Sequence, residues 1–170
     1  MNIHNVIAKA KEARMKGGYG SEKMLDELEA EGSRLIEKAN STRDTDNISF
    51  NLHDAYGYAV YYKGVLMRSG FLKGGVLSKS VHKGWLKRNY PSGTGRDYAA
   101  NVLNGYTPPP TGYALIVFNA AYYSEILEDG KQDGGKGLAK RYKIISQING
   151  DVEQLAKKYG GTYQLHNSKG

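Results

Sequence analysis

Hydrophobic residues at every second position constrain this chain more than any other feature. In ISFNLHDAYGYAVYYKGVLMRS, residues 48–69, Ile48, Phe50 and Leu52 alternate with polar residues, and Tyr56, Tyr58, Val60 and Tyr62 keep the same period. A period of two in β-branched and aromatic residues predicts strands. His53-Asp54 marks a turn between them, and Lys63-Gly64 turns the chain back into Val65, Leu66 and Met67. The run YALIVFN, residues 113–119, is the most apolar in the chain and reads as a buried central strand.

Three stretches carry the helical period instead. Ile3, Val6, Ile7 and Ala10 share one face of a short helix over 2–16, closed by Gly17-Gly18. Met24, Leu25, Leu28, Leu35, Ile36 and Ala39 make an amphipathic helix over 22–39, with Ser21 suited to its N-cap. Leu138, Tyr142, Ile145, Ile148, Val152, Leu155 and Tyr159 form one stripe that predicts a closing helix from 138 to 158, with Gly150 a weak point inside it. TYQLH, residues 162–166, suits a short final strand, and a further short helix fits 97–104. The expectation is a single α+β domain over 1–170. An antiparallel sheet is packed by a long helix in the N-terminal half and by a C-terminal helix, with residues 1–18 as an extra helix.

Charge is unevenly distributed. The net charge is +7, yet no carboxylate lies between Asp54 and Asp97, where Lys63, Arg68, Lys73, Lys79, Lys83, Lys87, Arg88 and Arg96 are all found. These fall in or beside a patternless stretch, 68–112, that reads as a long basic, partly mobile loop between strands. Such a block suits nucleic acid or an acidic protein surface, or is simply solvated. Lys73, Lys79, Lys83, Lys87, Arg88 and Arg96 are therefore the candidate contacts to DNA or a partner. With Trp85, Tyr90 and Tyr98 interleaved, a free nucleic-acid-binding surface is the rival reading. The N-terminus lacks the apolar core of a signal peptide and no apolar run approaches a membrane span, so the expectation is a soluble, intracellular chain without membrane contact.

Motifs for chemistry are weak. GKQDGGKG, residues 130–137, nearly fits a phosphate-binding loop, but Gly137 stands where a Ser or Thr should hold magnesium, and SEILEDG separates it from the preceding strand. There are no cysteines, and the four histidines have no metal-ligand spacing. Glu125 and Glu128 sit three apart, closer to a solvated face than to carboxylates opposed across a cleft. His53 and Asp54 are the one candidate acid–base pair, weighed against a simple turn. No catalytic residue, cofactor or metal is expected.

NAAYYSEILEDG, residues 119–130, resembles the signature of the tail-completion (head–tail joining, neck) proteins of long-tailed double-stranded DNA phages. Asn119 at a strand end, Tyr123, Glu128 and Gly130 fall on the family's positions; Ser124 replaces the usual Ala and Lys131 a common Thr. Upstream, the helix over 22–39 and DTDNI look like the family's helix and Thr-Gly-Asn-Leu entry, with Asp46 departing from the Gly. The resemblance covers about 22 to 158. It implies an α+β fold, no catalysis, and a homo-oligomeric ring in the virion, assembled in the host cytoplasm. The implied neighbours are portal or connector and tail proteins, with DNA in the lumen.

Overall fold

The computed structural model describes residues 22–42, 50–72, 98–121, 124–130 and 142–164. Its elements are helix α1 (Glu22–Thr42), helix α2 (Phe50–Asp54), strands β1 (Tyr56–Tyr62) and β2 (Val65–Phe71), helix α3 (Ala99–Gly105), strand β3 (Tyr113–Asn119), helix α4 (Ser124–Asp129), a 3-10 turn (Ser146–Ile148) and helix α5 (Asn149–Lys158). The three strands form one antiparallel sheet in the order β2-β1-β3. The α+β architecture expected from the sequence is present, with a long helix in the N-terminal half and a closing helix. The expected helix over 2–16, Ser21 as a cap, and residues 73–97 of the basic stretch lie outside the described residues.

β1 is the centre of the fold. Its register with β3 is unbroken from Tyr56↔Asn119 to Tyr62↔Tyr113, and its register with β2 slips once, at Val60/Tyr61. Lys63 and Gly64 both take positive φ, 47° and 79°. Two left-handed central residues are what a two-residue hairpin needs to match strand twist. The Lys63-Gly64 turn is therefore as the sequence predicts.

Alternation sorts β1 onto two faces. Tyr56, Tyr58 and Val60 face α1, whose buried stripe is Leu25, Leu28, Gly32, Leu35, Ile36 and Ala39. The Tyr58 ring lies in a slot made by two glycines: a Cβ on Gly32 would stand 2.6 Å from its Cγ, and one on Gly70 2.7 Å from its Cζ. On the opposite face Gly57 leaves room for Phe71 and Phe118, which meet edge to face with centroids 6.4 Å apart. Tyr61 there packs against Tyr106, just beyond α3.

Five expectations need correction. Phe50–Asp54 is a helix and not a strand. β2 and β3 already occupy both edges of β1, so the chain before β1 does not pair with it. YALIVFN is an edge strand and not the central one. Its apolar side chains apart from Phe118 are only half-buried, whereas the central position belongs to β1, buried at six of seven residues. The closing helix begins at Asn149 after a 3-10 turn, so Tyr142 and Ile145 precede it. Gly150 thus sits in a first turn, where it costs little. Finally, Thr162–Gln164 is irregular and not a strand, and β2 continues to Phe71, taking Arg68 out of the expected loop.

Candidate functional site

The stretch that carries the family resemblance folds into a tie between β3 and the end of the chain. Asn119, the last residue of β3, uses both ends of its amide. Nδ2 donates to the Leu52 carbonyl at 2.8 Å, and Oδ1 accepts from the Ala121 N–H at 3.0 Å. Its own carbonyl accepts from Ser124 Oγ at 3.1 Å, at the start of α4. The Leu52 carbonyl belongs to a one-and-a-half-turn helix that cannot satisfy it internally, so Asn119 supplies the missing donor. This bond also fixes α2 beside the sheet.

Glu128 does a comparable job at the other end of α4. Oε1 accepts from three consecutive backbone N–H groups, those of Ile144 (2.7 Å), Ile145 and Ser146 (2.9 Å), while Oε2 accepts from Ser146 Oγ at 2.8 Å. Those donors open the 3-10 turn and, through it, α5. A carboxylate there meets both the orphan N–H groups and the positive end of the helical dipoles. The Ile144 carbonyl is held as well, by the Tyr56 hydroxyl at 2.9 Å and Gln147 Nε2 at 2.9 Å. Ile144 itself is fully buried. Gly130 follows α4 with φ 66°, the left-handed conformation that ends helices most cheaply with glycine.

Of the motif residues, Asn119, Glu128 and Gly130 are all spent on the fold, and Tyr123 lies outside the described residues. They do not converge on a pocket: Asn119 holds α2, and Glu128 holds the segment before α5. Periodicity missed Ile144, because it counted Ile145 as the stripe residue. A polar Glu directly after the apolar pair Ile126-Leu127 was the available sign that residue 128 has a partner inside the fold.

Among the described residues, the other titratable groups singled out in the sequence or set in the core have partners within the fold. Asp54 is the one buried charged residue among those described, and its Oδ1 lies 3.3 Å from His53 Nδ1 at the end of α2. Tyr58 and Tyr61 hydroxyls are both pushed up to about 12. Burial is the main cause for each, with the Glu29 carboxylate adding at Tyr58 and Tyr106 at Tyr61. Among the described residues no three His, Cys, Asp or Glu side chains come together as metal ligands. One open depression of about 240 Å³, lined by Glu27, Ala30, Glu31, Arg34, Lys158 and Tyr159, carries both charges and is crossed by the Tyr159–Glu27 hydrogen bond.

Lys73, Lys79, Lys83, Lys87, Arg88 and Arg96 lie outside the described residues. Two other members of the basic block are described, and both turn to protein groups. Arg68 reaches α1, with Nη2 2.5 Å from Glu22 and Nε 3.4 Å from Glu29; Lys63 Nζ sits 5.2 Å above the Tyr62 ring. We therefore expect the isolated protein to bind duplex and single-stranded DNA weakly. Each phosphate neutralised would add about −0.9 to the salt slope, so titration at two salt concentrations measures it. Tight, salt-sensitive binding that disappears when Lys83, Lys87 and Arg88 are replaced together would instead favour the nucleic-acid reading.

Among the described residues no helix is long and apolar enough to cross a membrane. Compared with protein-family models, curated proteins and solved structures, the chain matches none.

Proposed function

We propose that the chain is a non-enzymatic structural protein of the virion, a ring-forming tail-completion or head–tail connector subunit of a long-tailed double-stranded DNA phage or prophage. One observation carries this reading. Of the residues on which the resemblance rests, Asn119 and Glu128 spend their side-chain polar groups on tying β3, α4 and the segment before α5 into the fold. A signature of that kind marks a fold used as a building block, in contrast to the convergent polar groups of a catalytic pocket.

A subunit in a closed ring presents two different surfaces to its neighbours, and tyrosine and arginine are favoured in such contacts. The 14 tyrosines suit that role. Tyr62 and Tyr113 stack with centroids 4.7 Å apart at the hairpin end of the sheet, and Tyr61 and Tyr106 meet at the same end on the other face. In this reading the basic stretch meets portal or tail proteins, or DNA in the lumen. Location tests it: imaging of particles should place the chain between capsid and tail.

A further inference from the structure

We propose that β3 is a docking edge for a second copy of this chain, the two β3 strands pairing antiparallel about a two-fold axis at Ile116. The hydrogen-bond pattern of the sheet singles out this edge. Ala120 N–H donates to the Ala55 carbonyl and Lys63 N–H to the Gly112 carbonyl, so the even-numbered residues from 112 to 120 are those bonded to β1. The odd-numbered residues of β3 then turn their backbone groups away from β1. The Asn119 carbonyl agrees, since it is taken by Ser124 Oγ. At Leu115 and Val117 no partner is present for the outward N–H and C=O among the described residues.

Edge strands with free backbone groups normally carry a charge, a proline or a bulge that blocks pairing. β3 has none of these over its seven residues, and Leu115, Ile116 and Val117 are only half-buried. The other edge differs: β2 has a register slip beside Met67 and carries Arg68. An uncharged extended strand is what the β3 edge fits, and β3 itself qualifies. Pairing about Ile116 sets Leu115 opposite Val117 of the second copy, and the reverse. Both positions bond outward, so four new hydrogen bonds form and the residues between them fall in register. The contact closes after two copies. It makes a dimer and does not depend on the virion reading, since a ring would use other surfaces.

The chain has no cysteine, which makes the test clean. Across such an axis Ile116 faces its own copy as a non-hydrogen-bonded pair, with Cα atoms about 4.5 Å apart, inside the range a disulfide spans. Ile116→Cys, oxidised with copper phenanthroline, should give a disulfide dimer. Ala114→Cys, whose copies would lie about 14 Å apart along the strands, should not. Wild-type protein should sediment as a concentration-dependent dimer, and Ile116→Lys as a monomer with an unchanged far-UV spectrum. Equal cross-linking by both cysteine variants, or none by either, overturns the proposal. So does an Ile116→Cys thiol that stays monomeric and resists a maleimide, which would mean that the chain covers its own edge. Absence of the protein from virions would leave this dimer standing, and a failed cross-link would leave the virion reading standing.

Discussion

Replacing Glu128 by alanine should lower the stability of the fold by about 1–3 kcal/mol, because the group left behind is a row of donors and not a single atom. Three consecutive N–H groups and a serine hydroxyl converge on this carboxylate. Ile144, whose amide is one of the three, is fully buried and cannot turn to water without moving the core. Loss of an anionic cap also removes a favourable charge from the start of the helical segment, worth several tenths of a kcal/mol or more. Glu128→Gln keeps one acceptor oxygen without the charge, so it should fall between wild type and alanine. Chemical denaturation of the three proteins measures this order. An alanine variant with an unchanged midpoint and slope would show that the tie is dispensable.

Gly32→Ala should also destabilise, although alanine in a helix interior is normally worth about 0.5–1 kcal/mol more than glycine. The gain is outweighed because the new methyl would stand 2.6 Å from Tyr58 Cγ and 3.0 Å from its Cβ. That ring cannot slide away, since Gly70 on the other side lets it in equally closely. Either α1 lifts from the sheet or Tyr58 leaves its rotamer, and overpacking of this kind costs about 1–3 kcal/mol. A double-mutant cycle gives the sharper reading. In a Tyr58→Leu background, Gly32→Ala should lose most of its penalty, because the two positions are coupled through one contact. A Gly32→Ala protein that melts higher than wild type would refute the close approach.

What the sequence made legible follows from how much of each signal is local. α1 needs one amphipathic stripe, and the stripe is there. The hairpin turn needs left-handed residues, and Lys63-Gly64 supplies one glycine at the right place between two strands. Strand order is different, because hydrophobicity reports burial and not neighbours. YALIVFN looked central, yet Gly57, which lets the Phe71 and Phe118 rings cross the middle of the sheet, marks β1 as the centre. The start of α5 was misplaced for a related reason. Tyr142 and Ile145 fit the 3.6 period by spacing alone, while the Glu128 carboxylate, 16 residues away from Ile144, sets where the helical turns begin. Glu128 stood out as a motif position, yet its spacing from Glu125 read as a solvated face, and the donors it finds 16 to 18 residues on were not legible.

The central claim is that Asn119, Glu128 and Gly130 belong to the architecture of a virion building block. Electron microscopy of gradient-purified particles, with labelling by an antibody to this chain, tests it most directly. The account predicts a ring of density between capsid and tail that carries the label, together with the protein at fixed stoichiometry in the particles. Purified particles that lack the protein would contradict it.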